Sequence, residues 1–84
     1  MVSQIRFTAD SRKSFEKLRN KKLQSRITQA LQKLSQNPLS GKKLQGRLKD
    51  TYSLRVWPYR VLYEFDNKKD IIITDIKHRK DVYR

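Results

Sequence analysis

Five side chains in the second half of this sequence, Arg55, Arg60, His78, Arg79 and Tyr83, have the chemistry to grip an anion and move a proton. Arg55 and Arg60 are single arginines inside otherwise apolar runs. A guanidinium carries a planar fork of donors that matches phosphate oxygens and keeps its charge at any physiological pH. Histidine titrates near pH ~6.5 and serves as acid or base. A tyrosine ionises near pH ~10, and neighbouring cations such as Arg79 and Arg84 favour its phenolate. Each residue taken singly has a plainer explanation. An arginine on a strand lays its aliphatic stem on the sheet, a histidine sits at the surface, and a tyrosine near the end packs. Only their combination is informative, and it requires separate segments to bring them together.

Those segments are readable. Ser3-Gln4-Ile5-Arg6-Phe7 alternates apolar with polar and predicts a strand. Thr8 or Asp10 can cap a short helix with Phe15 and Leu18 as its buried positions. Leu23, Ile27, Ala30, Leu31 and Leu34 form one stripe of a longer amphipathic helix. It ends at Asn37-Pro38, since proline disfavours helix at the preceding residue. The two helices are expected to pack as an antiparallel pair, and the stretch from Leu39 to Lys49 reads as an ordered loop. Tyr52–Trp57 and Tyr59–Phe65 read as strands, Asp66–Asp70 as a turn, and Ile71–Ile76 as a third strand rich in β-branched residues. Three strands with short connections make an antiparallel meander, which the first strand joins. The expected fold is therefore α+β. A small antiparallel sheet in the order β-α-α-β-β-β carries two helices on one face, all within one domain over residues 1–84. On strand parity Arg60 shares a face with Leu62 and Glu64, opposite Tyr59, Val61, Tyr63 and Phe65. Arg55 then falls across from or near it. If the strands are neighbours, all five residues can converge on one side.

Charge narrows the partner. There are 21 lysines and arginines against 8 acids, a formal net charge of +13 on 84 residues. The excess is present in both halves, so the folded body itself is cationic and a polyanionic partner is favoured. Nucleic acid is preferred over a membrane, because basic residues run through strands as well as helices and the helices carry core-like apolar spacing. Binding through Arg55, Lys42, Lys43, Lys77 and Arg84 is expected to weaken with salt. There are no cysteines, which fits a reducing compartment and removes thiolate metal ligation. The acids show no metal-ligand spacing, so neither metal nor other cofactor is expected. Without an apolar leader or spanning stretch, a soluble cytoplasmic protein is the expectation.

Two motifs then carry a resemblance. Tyr52-Ser53-Leu54-Arg55-Val56-Trp57-Pro58-Tyr59-Arg60-Val61-Leu62-Tyr63 resembles the Y-x-L-R-x-x-x-Y-R-x-x-Y core of the RelE/ParE toxin superfamily. Ile76-Lys77-His78-Arg79-Lys80-Asp81-Val82-Tyr83 is similar to its I-x-H-R-x-x-V-Y ending. Leu39–Gly46 is similar to the loop that leads into the sheet, and the order of elements matches over nearly the whole chain.

The resemblance implies a type II toxin that cleaves mRNA in the ribosomal A site and is neutralised by a cognate antitoxin, with which it forms a hetero-oligomer. On that resemblance Arg60 and Arg79 hold the scissile phosphate. Tyr83 stands at the attacking 2′-hydroxyl, and His78 lies where some relatives carry a catalytic histidine. Ser53 stands where some relatives have a lysine, and Trp57-Pro58 replaces a usual Gly-containing turn. Of Tyr59, Tyr63, Trp57 and Phe65, which could stack a base, at least three are expected to be core. Two other functions share the fold: a ParE-like toxin that inhibits DNA gyrase without catalysis, and a basic RNA-binding module.

Overall fold

The structure is a computed structural model. It describes residues 3–44, 50–67 and 69–82, with positions 81 and 82 described by backbone only. Strand β1 (Ile5–Phe7) leads into α1 (Ala9–Glu16), α2 (Lys21–Gln36) and a single 3-10 turn (Pro38–Ser40). Strands β2 (Lys42–Lys43), β3 (Tyr52–Val56), β4 (Tyr59–Phe65) and β5 (Ile71–His78) come next, and a short helix α3 (Arg79–Val82) comes last.

Local chemistry sets the helix starts. The Thr8 hydroxyl accepts from the Ser11 amide, and the Asn20 side chain accepts from the Leu23 amide, so each helix has one of its orphan donors satisfied. The apolar stripe of α2 buries Leu23, Ile27, Leu31 and Leu34, as its spacing predicts, and Asn37 closes the helix. Phe15 of α1 packs on the core, as does Leu18, which the sequence reading put in the helix and which lies just past its C-cap, Lys17; the fully buried position of α1 is Ser11. Its hydroxyl donates to the Ile73 carbonyl at 2.7 Å. A small hydroxyl lets α1 sit close to the sheet with no buried donor left over.

The sheet order is β1-β5-β4-β3-β2. The β3–β4–β5 meander is antiparallel, as expected. Two features differ from the sequence reading. The outermost strand β1 pairs in parallel with β5, because two helices intervene and return the chain to the same end. Within the expected loop, Lys42 and Lys43 form a short fifth strand paired with β3; two lysines give no period-2 signal to read. The rest of that loop, Gln45–Lys49, lies outside the described residues.

Ile27, Leu34, Val61, Tyr63, Ile71 and Ile73 are the fully buried centre of a core between α2 and one sheet face, and Ile5, Phe7, Tyr52, Tyr59 and Phe65 pack around it. The opposite face carries Arg55, Arg60 and Lys77. Strand β5 runs two residues past the expected Ile76, and Thr74 is an extra residue in its ladder, since Tyr63 pairs with Ile73 while Leu62 pairs with Asp75. That bulge inverts the parity of every later position in the strand. Ile76 returns to the core, and Lys77 is left opposite Arg60 on the other face. Among the described residues no helix is long and apolar enough to cross a membrane.

Candidate functional site

The β3–β4 hairpin is the base of the site. Val56 pairs with Tyr59, so Trp57 and Pro58 are its two-residue connection, joined by a cis peptide bond. The next pair inward is Arg55 with Arg60, and Arg60 in turn faces Lys77 of β5. Three cations thus lie directly across three adjacent strands. Like charges so placed repel one another across a sheet. Arg60 is steadied by its neighbour, with Nη1 3.4 Å from the Ser53 hydroxyl, which is itself 3% exposed. Lys77 Nζ is 3.7 Å from the Asp75 carboxylate.

Arg79 arrives from the end of β5. Its amide donates to the Pro58 carbonyl at 2.9 Å, and its guanidinium carbon lies 4.7 Å from the centre of the Trp57 ring. Arg55, Trp57, Tyr59, Arg60 and Arg79 together line a hollow of about 220 Å³. Three arginines in the wall of a hollow of that size suit an oxyanion, a phosphate or a carboxylate.

His78 does not join them. Its ring packs edge-on against Tyr59 at 5.3 Å between centres, and it lines a neighbouring hollow with Ser14, Lys17 and Leu18. The bulge at Thr74 explains this, because it puts position 78 on the helix-covered face. Its Nδ1 accepts from the Lys80 amide at 3.3 Å, capping the start of α3. The expectation that all five residues converge is corrected to that extent: Arg55, Arg60 and Arg79 meet, and His78 stands to one side. Tyr83 and Arg84 lie outside the described residues.

Lys42 and Lys43 are exposed on the edge strand, and Lys42 pairs with Ser53, the residue that holds Arg60. Of the four aromatics that could stack a base, Tyr63 is fully buried and Tyr59 and Phe65 pack on the core, whereas Trp57 is 53% exposed. The contact between Trp57 and Arg79 was not foreseen in the sequence. Its one available signal is position, for an indole in a two-residue turn has no core to enter. Among the described residues no group of three His, Cys, Asp or Glu side chains is placed to hold a metal ion.

Residues 5–83 match the family described as "ParE toxin of type II toxin-antitoxin system, parDE". The chain belongs to the RelE/ParE toxin superfamily. It is similar to Toxin RelG of Mycobacterium tuberculosis (strain ATCC 25618 / H37Rv), with 37% identity over 82 residues, covering 95% of this chain and 94% of that protein. Among solved structures, this toxin resembles the toxin-antitoxin complex RelBE2 of M. tuberculosis, with 32% identity and a TM-score of 0.83 over 94% of this chain and 100% of the other. It also resembles the archaeal RelE-RelB complex of Pyrococcus horikoshii OT3, with 26% identity and a TM-score of 0.78 over 96% and 99% of the two chains. The isolated E. coli RelE toxin, at 21% identity and a TM-score of 0.78, shares the fold over 96% of this chain and 90% of its own. The protein is thus a toxin of a type II toxin–antitoxin system.

Proposed function

We propose that this toxin is a ribosome-dependent mRNA endoribonuclease that cleaves without a metal, by attack of an RNA 2′-hydroxyl on the adjacent phosphate. The observation that carries the reading is the hollow that Arg55, Arg60 and Arg79 line together. Cleavage requires removal of the 2′-hydroxyl proton, neutralisation of charge on a pentavalent phosphorus, and protonation of the departing 5′-oxygen. The products are a 2′,3′-cyclic phosphate and a 5′-hydroxyl. Arg60 and Arg79 neutralise the non-bridging oxygens, and Arg55 with Lys42, Lys43, Lys77 and Arg84 holds the flanking backbone. Tyr83 takes the 2′-hydroxyl proton, its phenolate favoured by cations close to it in sequence, Arg79 and Arg84. With its Nδ1 engaged in capping, His78 is assigned to holding the start of α3, and through it Arg79, ahead of proton transfer.

The same reading gives the toxin a cognate antitoxin in a hetero-oligomer. Two of the solved relatives are complexes with RelB proteins. A cationic body calls for a partner with an acidic or amphipathic segment that orders on binding. Action on translating ribosomes places the toxin in the cytoplasm.

A second reading, inhibition of DNA gyrase without catalysis, is favoured by the ParE description of the matching family. Incubation with translating ribosomes and mapping of mRNA 5′ ends separates the two. Cuts in register with codons are expected, and Arg79→Ala and Tyr83→Phe should remain folded while losing orders of magnitude in cleavage. Intact mRNA together with arrested gyrase would establish the second reading instead.

A further inference from the structure

Trp57 is the one tryptophan of the sequence and stands at the tip of the β3–β4 hairpin, 53% exposed, where core burial cannot account for it. What it does touch is Arg79. The guanidinium lies over the indole at 4.7 Å, while the next residue of the same turn, Pro58, accepts the Arg79 amide at 2.9 Å. The turn therefore holds Arg79 at both its backbone and its head group. No carboxylate among the described side chains forms a salt bridge with Arg79.

The chemistry of that arrangement is specific. A carboxylate would orient a guanidinium by occupying its donors and cancelling its charge. An aromatic face attracts the cation through the ring quadrupole, does not cancel its charge, and cannot hold its donors in a bidentate pair as a carboxylate does. The N–H donors lie in the guanidinium plane and stay available for phosphate oxygens. A long, exposed side chain is also deprived of rotamers before substrate arrives, which lowers the ordering cost of binding.

We propose that Trp57 is the positioning residue for Arg79, fixing its guanidinium at the wall of the phosphate-binding hollow without using its charge or its donors. The proposal rests on the nuclease reading for its consequence in catalysis, but its geometry is testable by binding alone. The probe is a short single-stranded RNA with 2′-O-methyl groups, which binds and cannot be cut. Affinity is measured for the wild type, Trp57→Ala, Arg79→Ala and the double variant, with thermal midpoints recorded for each.

Trp57→Ala should weaken binding roughly two- to fivefold, as expected for an exposed cation–π contact. In the Arg79→Ala background the same substitution should change nothing further. Trp57→Phe should recover part of the loss and Trp57→Leu none, since leucine keeps apolar bulk and lacks the ring quadrupole. On translating ribosomes, the loss from Trp57→Ala should fall mainly on kcat.

Equal losses from Trp57→Ala with and without Arg79 would mean that the indole stacks a base directly, and the proposal would be wrong. Wild-type affinity in Trp57→Leu would overturn it as well. The phenylalanine and leucine pair decides the matter if the alanine variant does not fold. Coupling in affinity without any mRNA cleavage would sink the nuclease reading and leave this one standing. Cleavage with independent, additive losses would do the reverse.

Discussion

Tyr63 shows how a single side chain joins the core to the loop that approaches the site. Its ring is stacked on Tyr52 at 5.4 Å between centres and meets Phe65 edge-on at 5.8 Å. Its hydroxyl donates to the Pro38 carbonyl at 3.0 Å and accepts from the Gly41 amide at 3.1 Å. Burial pushes its pKa above the usual 10.0; the Gly41 amide pulls it partly back, and the charge on Tyr52 raises it further. Because the folded state disfavours the phenolate, the stability tied to Tyr63 is complete below pH 10 and is lost as pH rises through the elevated folded value. Tyr63→Phe should cost about 1–3 kcal/mol at neutral pH by leaving the Pro38 and Gly41 backbone groups without their partner. It should also remove part of the alkaline fall in stability, so urea denaturation of both proteins from about pH 8 to 11 should give converging curves. Gly41 is required for space, since a Cβ there would stand 2.9 Å from ring carbons of Tyr63. In the sequence that glycine reads only as part of a loop. The packed tyrosine 22 positions away is what gives it its purpose, and no local pattern encodes a contact of that span.

At the scale of elements, legibility followed periodicity. The α2 stripe is a sustained 3.6-residue repeat, and its four leucine and isoleucine positions are the ones the fold buries. The core residue Ile27, fully enclosed between α2 and the sheet, should cost about 2–5 kcal/mol when cut to alanine. In a chain of this size that is a large share of the total stability. Chemical denaturation should show a lower midpoint at similar slope, while Thr28→Ala on an adjacent position should stay within about 0.5 kcal/mol. Strand β5 defeated the same reasoning. A run of Ile71, Ile72, Ile73 and Ile76 says strand but cannot say which isoleucines face inward, and the bulge at Thr74 changes that answer midway. Its consequences reach the site: Lys77 joins the arginine row, and His78 is carried to the face that Arg60 does not share. The convergence of Arg55 with Arg60 was legible because a two-residue hairpin fixes register. The placement of His78 was not, because one irregular residue in a ladder leaves no mark in composition.

For the whole molecule, the opposing tendencies of its charge give the clearest consequence. A net charge of +13 was countable from the sequence. Its concentration in one row, Arg55–Arg60–Lys77, with Arg79 lining the same hollow as the two arginines, depended on strand order. Self-repulsion works against the compact state, and mobile ions screen it, with a Debye length falling from about 10 Å at 0.1 M to about 3 Å at 1 M. The same ions compete for RNA phosphates, so each contact released lowers affinity as salt rises. The two observables should therefore move in opposite directions. Between about 0.1 and 0.5 M sodium chloride the thermal midpoint of the free toxin should rise, while its affinity for a short single-stranded RNA should fall linearly on a log–log plot. The ion pairs of Arg6 with Asp66 and Lys77 with Asp75 work against the rise in midpoint, but exposed pairs are worth at most about 1 kcal/mol each. Arg60→Gln, which takes one cation out of the row, should raise the midpoint at low salt and reduce the binding slope by about 0.7, the value for one phosphate contact on a single strand. A variant that lost affinity with an unchanged slope would show that Arg60 does not touch the backbone of the RNA.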